Sequence, residues 1–326
     1  MTTTSRFLPP IPADADLATA GVREMLFFPV TPFRSDGAVD HDVFASHLRE
    51  RLPYGPPAVF AACGTGELAS LGMTEHREVV RTAAESCGDV PVFAGIGGGL
   101  GVARAQALAA EDAGASGLLV LPPYLNEAPQ SGWLEYYRRI AETTDLPVIV
   151  YQRNQVRLDR DTCLRLAETP TIVGLKDGLG DLDQIRDLVQ ALGDQWVFCN
   201  GLPTAELNQI EFRELGVRSY SSAVFAFFPE MAVAYKDALA DGNTERLQHL
   251  LDGFYRPLGR LRDEVPGYAV ALVKAALQLT DPAFGNVREP LMDPTPGHLE
   301  RLQQIIEAGR EALATTPSGP TPEAVR

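Results

Sequence analysis

Eight apolar segments recur along this chain, with 21 to 33 residues between the start of one and the start of the next. They begin at positions 26, 58, 91, 117, 146, 171, 196 and 217. Each is apolar at nearly every position, which is typical of parallel strands buried on both faces. Between them, apolar residues spaced by three and four indicate amphipathic helices. Eight β-α units in a row predict a (β/α)₈ TIM barrel over residues 26–240, an α/β fold.

The two ends of the chain have different patterns. Three more helical patterns follow the eighth unit and predict a C-terminal helical extension over residues 241–313. The proline-containing residues 1–25 are expected to form an N-terminal arm, and residues 314–326 a disordered tail. Within the barrel, Thr74, Ser131 and Asp181 are expected to cap helix starts.

A doubly wound open sheet is the main structural alternative. It would normally carry a glycine-rich fingerprint after its first strand, and FFPVTPFRSDG, from Phe27, has none. The glycine-rich segment at 95–101 follows the third strand and lacks the G-x-G-x-x-G spacing. A tight βα turn is favoured there over a phosphate site, and the barrel remains the preferred fold.

Charge and composition exclude several classes of partner. The chain has 28 Lys and Arg against 43 Asp and Glu, a formal net charge of −15, which disfavours nucleic acid and anionic membrane surfaces. No apolar run is long enough to span a membrane, and no secretory leader pattern is present. The four cysteines and five histidines have no metal-ligand spacing, so no metal is expected. We expect a cytoplasmic protein.

Only three lysines occur: Lys176, Lys236 and Lys274. Lys236 has polar neighbours and is expected at the surface, whereas Lys274 lies among apolar residues and is expected to snorkel or to form an ion pair. Lys176 ends the sixth strand, where TIM barrels carry their active residues. A lysine buried there has a lowered pKa and can attack a carbonyl as a free amine. An ion pair with Asp177 or Asp181 is the structural alternative.

Strand alternation and neighbouring strands supply further candidates. Alternation places Ile172 and Gly174 on the Lys176 side of its strand and turns Val173 towards the helices. Tyr151 ends the preceding strand, so its phenol can approach the Lys176 amine and relay protons; simple core packing is the alternative.

The turn after the second strand is a candidate carboxylate site. Gly64, Thr65 and Gly66 supply a hydroxyl and exposed backbone N–H groups there, which can bind a carboxylate. The motif is weak when taken alone, because many tight turns have a similar sequence.

Taken together, these motifs resemble the dihydrodipicolinate synthase and N-acetylneuraminate lyase superfamily of class I aldolases. The motifs that carry the resemblance span nearly the whole chain: VTPF at 30–33, GTGE at 64–67, PPY at 122–124, VY at 150–151, GLKDG at 174–178 and GLPTAE at 201–206. The resemblance implies a barrel with C-terminal helices, a homo-oligomer (tetramer or dimer), and 2-keto acids bound as Schiff bases of Lys176. It implies no cofactor.

Within the superfamily, the chain is most similar to the 5-dehydro-4-deoxyglucarate dehydratases. The segments YSSAVF at 220–225 and GYAV at 267–270, with Lys274 and VREPL at 287–291, carry this closer match. Departures from the pattern of that group are Gln152, Leu68, Ala69 and Ala226. Against dihydrodipicolinate synthase itself, Leu125 replaces a relay tyrosine and Val156 replaces a carboxylate-binding arginine, so that activity is disfavoured.

The resemblance therefore implies dehydration and decarboxylation of a keto-sugar acid, 5-dehydro-4-deoxyglucarate, to 2,5-dioxopentanoate. Lys176 is the expected nucleophile and Tyr151 the proton relay. The remaining expected substrate-binding residues are Gly64, Thr65, Gly66, Arg153, Ser221 and Ser222. Arg153 could instead form a surface or interface ion pair, and the serines could be turn residues. A pyruvate-forming aldolase and a non-catalytic keto-acid-binding protein remain alternatives.

Overall fold

The computed structural model describes residues 22–315, and these form a closed barrel of eight parallel strands paired in sequence order. The barrel predicted from the sequence is confirmed. The strands are β1 (Met25–Phe27), β2 (Val59–Ala61), β3 (Val92–Ile96), β4 (Gly117–Val120), β5 (Val148–Gln152), β6 (Ile172–Asp177), β7 (Val197–Asn200) and β8 (Ser219–Ser222). The predicted arm lies mostly, and the predicted tail almost entirely, outside the described residues.

Helices alternate with the strands and then continue past them. The barrel helices are α1 (His41–Arg51), α2 (Met73–Ser86), α3 (Leu100–Asp112), α4 (Gln130–Ala141), α5 (Arg160–Leu166), α6 (Leu182–Leu192), α7 (Gln209–Glu214), α8 (Val224–Phe227) and α9 (Pro229–Ala240). The C-terminal helices are α10 (Thr244–Leu250), α11 (Arg256–Asp263), α12 (Tyr268–Gln278) and α13 (Pro296–Ala314), with a π-helical turn at Leu251–Tyr255. None of these helices is long and apolar enough to cross a bilayer.

Helix starts test the capping predictions. Asp181 caps α6 as expected, because its carboxylate accepts from the N–H of Gln184 at 3.1 Å. The predictions for Thr74 and Ser131 are wrong, since the N-caps are Gly72 and Pro129. At Gly72 the cap is stabilised instead from within the helix, where the Glu75 side chain accepts from the Gly72 N–H at 2.9 Å.

Two apolar cores hold the architecture together. The larger fills the space between strands and helices, and the smaller fills the barrel interior. The predicted alternation in β6 is wrong at its start: Ile172 packs in the outer core and Val173 against the interior. The cause is a register shift against β5, where Val148 pairs with Ile172 but Ile149 pairs with Gly174. The shift leaves one extra residue in β6. The alternation predicted for the end of the strand is therefore kept, and Lys176 points inwards.

Candidate active site

A cavity of about 710 Å³ lies at the carboxyl ends of the strands, between the barrel mouth and helices α11 and α12. Lys176 and Tyr151 reach it from the ends of adjacent strands, and Thr65 reaches it from the turn after β2. The two strand residues are direct neighbours, because Tyr151 pairs with Lys176 in the β5–β6 register. The cavity therefore brings the three main sequence candidates together where barrel enzymes carry their chemistry.

Lys176 is buried at the cavity floor, with only 6% of its surface exposed. Burial lowers the pKa of its amine, because desolvation disfavours the ammonium form. The alternative of an ion pair with Asp177 or Asp181 is wrong. Asp177 accepts instead from Gln152 and from the N–H of Gly180, and Asp181 pairs with Arg157 at 2.7 Å. The Lys176 amine is thus buried, with a lowered pKa, and neither aspartate is its partner.

The Tyr151 hydroxyl connects the floor to two neighbouring groups. It donates to the carbonyl of Gly201 at 3.0 Å and accepts from Arg153 Nη1 at 3.3 Å. Burial raises the pKa of Tyr151, and the nearby Arg153 guanidinium partly opposes that rise. The contact gives Arg153 a place in the cavity wall, which does not fit the alternative of a surface ion pair.

Of the three residues predicted to bind substrate in the turn after β2, two line the cavity and one does not. Gly64 and Thr65 line the cavity. Gly66 lies behind them: it is buried, its carbonyl accepts from Thr31 Oγ1 at 2.7 Å, and a Cβ there would lie 3.1 Å from the Ala62 backbone. Gly66 consequently shapes the turn and does not line the cavity.

The two serines of β8 point in opposite directions, as alternation requires. Ser221 lines the cavity and donates to the carbonyl of Asn200 at 3.3 Å. Ser222 is fully buried outside the barrel, where it donates to Glu206 Oε1 at 2.6 Å and accepts from the N–H of Phe225. The cavity is therefore open to Ser221 and not to Ser222.

Of the four residues that depart from the dehydratase pattern, two line the cavity and two do not. Gln152 is buried among Asp177, Gln184 and Leu158, away from the cavity lining, and Ala226 lies outside the lining as well. Leu68 and Ala69 do line the cavity. Only these last two can alter its shape directly.

A buried ion pair fastens the Thr65 turn to the C-terminal extension. Lys274 on α12 donates to Glu67 Oε1 at 2.6 Å, and neither side chain is exposed. The other oxygen of Glu67 accepts from the N–H of Arg288 at 2.9 Å. Pairing of Lys274 is thus confirmed and snorkelling is wrong, while Lys236 pairs with its neighbour Asp237 at the surface.

Other residues that were not predicted as site residues also line the cavity, among them Phe28, Tyr124, Asn154 and Arg262. Phe28 directly follows β1, a strand-end position that could have identified it. Arg262 comes from a C-terminal helix, and no barrel rule points to it. Its guanidinium donates to the Pro203 carbonyl at 2.7 Å and to Thr204 Oγ1 at 2.6 Å.

This geometry agrees with the match to a family model. The model of the dihydrodipicolinate synthetase family covers residues 22–309. The chain belongs to that family. Among the described residues, no cluster of three or more His, Cys, Asp or Glu side chains could hold a metal ion.

Two curated relatives belong to one group within this family. A protein of Streptomyces coelicolor named probable 5-dehydro-4-deoxyglucarate dehydratase 1 is 50% identical over 87% of this chain and 92% of its own length. The 5-dehydro-4-deoxyglucarate dehydratase of Pseudomonas putida is 39% identical over 87% of this chain and 94% of its own length. The resemblance found in the sequence motifs is thereby confirmed.

Solved structures of the family share the fold. Dihydrodipicolinate synthase from Oceanobacillus iheyensis superposes with a TM-score of 0.83 at 25% identity, covering 91% of this chain and all of the other. The sialic acid aldolase of Ruminococcus gnavus gives a TM-score of 0.81 at 16% identity, covering 90% of this chain and 98% of the other. The second likeness supports the barrel with its C-terminal helices and nothing finer.

Proposed function

We propose that this chain is a Schiff-base lyase that dehydrates and decarboxylates 5-dehydro-4-deoxyglucarate to 2,5-dioxopentanoate. The observation that carries the proposal is the buried amine of Lys176 beside Tyr151 at the floor of the cavity. The high identity to proteins named 5-dehydro-4-deoxyglucarate dehydratase supports this substrate.

The first half of the reaction forms a covalent intermediate. The neutral Lys176 amine attacks the C5 ketone, and loss of water from the carbinolamine gives an iminium ion. Tyr151 relays protons to and from the oxygen that leaves, since its hydroxyl is already hydrogen-bonded at the cavity floor. The iminium withdraws electrons and so acidifies the C4 methylene.

The second half breaks two bonds of the substrate. Removal of a C4 proton gives an enamine, which expels the C3 hydroxyl as water and leaves a conjugated iminium. The C1 carboxylate then departs as carbon dioxide, and its bonding electrons flow into the conjugated system. Protonation at C4 restores the iminium, and the C2 enol that decarboxylation leaves is converted to the aldehyde by protonation at C3. Hydrolysis of the imine then releases 2,5-dioxopentanoate and returns Lys176 to its free form. No redox partner is needed for this balance.

Different residues are assigned to the two carboxylates of the diacid. Thr65 and the Gly64 backbone bind the carboxylate next to the imine, with Gly66 as the buried support of the turn. Arg153 and Ser221 bind the distal end, since charge-assisted hydrogen bonds suit a carboxylate. Ser222 contributes by fixing the end of β8 through Glu206.

Assembly and location are proposed together. The protein acts as a homo-oligomer, a tetramer or dimer, in the cytoplasm. Exposed apolar side chains beside the cavity mouth support assembly: Leu125 is 99% exposed, and Tyr124 and Val102 are also exposed. Light scattering after size exclusion tests the state, and a monomer at micromolar concentration would refute this part of the proposal.

Borohydride reduction in the presence of substrate tests the covalent step. We expect one adduct on the wild-type chain, mapped to Lys176 by peptide mass spectrometry, and none on Lys176→Ala. The variant Lys274→Ala is not a suitable control because it breaks a buried ion pair, so the surface variant Lys236→Ala is the matched one. An adduct that persists in Lys176→Ala would contradict the proposal.

A further inference from the structure

We propose that Phe28 is a further catalytic residue, which together with the ring of Tyr151 stabilises the positive charge of the Lys176 iminium ion. The inference rests on the proposed Schiff-base function and adds the group that balances its charge. The aromatic pair is defined as the rings of Phe28 and Tyr151.

The geometry of the aromatic pair is that of a cation site. Lys176 Nζ lies 3.9 Å from the centroid of the Phe28 ring and 4.7 Å from that of Tyr151. Both distances fall inside the roughly 6 Å within which a ring face attracts a cation. Phe28 also lines the cavity, so its ring faces the space where the imine forms.

The amine has no anionic partner in the part of the chain that the structure describes. The lysine ion pairs within 4.0 Å there are those of Lys236 and Lys274, and none involves Lys176. The Asp177 carboxylate accepts instead from Gln152 and from the N–H of Gly180. Burial favours the neutral amine, yet the reaction places a positive charge on the same nitrogen. Ring faces resolve this conflict, because they stabilise a cation without forming the ion pair that would hold the lysine protonated.

The surroundings hold the Phe28 ring in place. It stacks on Phe60, with centroids 4.7 Å apart, and Phe60 stacks on Phe93 at 4.9 Å. The planes differ by only 16° and 14°. The column continues to Gly117, where a Cβ would lie 2.3 Å from the Phe93 ring. The ring therefore needs no reorganisation when the cation forms.

The test separates the charge effect from packing with matched variants. Phe28→Leu removes the ring at the amine, Phe28→Tyr keeps it, and Phe60→Leu removes the ring stacked beneath it. Pyruvate serves as the probe, since it forms an imine without the later steps. The yield of borohydride-reduced adduct against pyruvate concentration gives an apparent imine dissociation constant for each variant.

We expect Phe28→Leu to raise this constant about tenfold, in line with a desolvated cation–π contact, and Phe28→Tyr to change it by less than about twofold. Phe60→Leu should have an effect well below that of Phe28→Leu. Equal constants in Phe28→Leu and wild type would overturn the inference, as would equal losses in Phe28→Leu and Phe60→Leu. Absence of any adduct in the wild type, with pyruvate and with 5-dehydro-4-deoxyglucarate alike, would instead refute the Schiff-base function itself.

A second readout distinguishes charge from packing by its sign. Loss of the ring face removes a contact that favours the ammonium, so Phe28→Leu should shift the pKa of Lys176 further down. A packing defect that admits water would shift that pKa up, towards the ordinary value of 10.5. The pH dependence of Lys176 labelling by an amine-selective reagent measures the direction, and an upward shift would overturn the inference.

Discussion

Gly201 leaves no room for a side chain beside Lys176. A Cβ atom at position 201 would lie 2.6 Å from Cε and 2.7 Å from Cγ of the lysine. The glycine also supplies the carbonyl that accepts from the Tyr151 hydroxyl. One residue directly after β7 thus constrains the positions of both Lys176 and the Tyr151 hydroxyl.

Gly201→Ala should displace the Lys176 side chain and lower kcat by roughly a hundredfold, because ångström-scale misplacement of a reacting group is costly. Steady-state kinetics and borohydride trapping measure the effect. The matched control is Gly101→Ala, where a Cβ would have no neighbour within 4 Å. Normal trapping by Gly201→Ala would show that the close approach has no role in positioning.

Arg153→Met tests the assignment of the distal carboxylate. We expect KM for the diacid to rise about 10- to 100-fold, the range for a lost hydrogen bond to a charged group, with a much smaller change in pyruvate imine formation. Arg157→Met is the control, since Arg157 pairs with Asp181 near the same loop but lies outside the cavity lining. Equal losses for both ligands would remove Arg153 from the distal site.

Lys274→Met should be strongly destabilising, by about 3–5 kcal/mol, because it leaves Glu67 as an unpaired buried charge. The double variant Glu67→Gln with Lys274→Met should be less destabilised than Lys274→Met alone, since the uncompensated charge is gone. Urea denaturation measures both. Lys236→Met, which breaks a surface pair, should cost less than about 1 kcal/mol. A double variant as unstable as the single one would argue against this account of the pair.

Glu206 should make the fold less stable as the pH rises. Burial raises the pKa of Glu206 from 4.5 to about 7. Between these two pH values, the folded state therefore binds more protons than the unfolded state. Its stabilising contribution is therefore complete below about pH 4.5 and is lost as the pH rises through 7, on the order of 3 kcal/mol in all.

The difference in melting temperature between pH 5 and pH 8 checks the sign. Glu206→Gln should flatten the dependence, while Glu211→Gln, on the exposed face of α7, should leave it as in the wild type. The argument would be contradicted if Glu206 made the wild-type protein more stable at pH 8 than at pH 5, so that Glu206→Gln removed an increase in melting temperature.

Local patterns were sufficient to predict the barrel and the strand-end positions of Lys176 and Tyr151. Both follow from the strand period and from the rule that places active groups at the carboxyl ends of strands. Alternation also separates Ser221, which lines the cavity, from Ser222, so the binding role predicted for Ser222 does not agree with its place on the strand. Alternation gave the wrong side for Val173, because the extra residue in β6 can be recognised only from the pairing of β6 with β5.

Contacts between distant segments could not be predicted in the same way. Glu67 and Lys274 are 207 residues apart, and only the packing of α12 against the barrel mouth joins them. Arg262 reaches the cavity for the same reason. Phe28 is intermediate: its strand-end position was visible, but its distance to Lys176 depends on closure of the barrel between β1 and β8.

Product analysis tests the central claim most directly. Purified protein is incubated with 5-dehydro-4-deoxyglucarate, with Lys176→Ala beside it, and the products are identified by mass spectrometry. We predict carbon dioxide and 2,5-dioxopentanoate from the wild type and neither from the variant. Pyruvate with a three-carbon aldehyde acid would show cleavage between C3 and C4 and would contradict the dehydratase in favour of an aldolase.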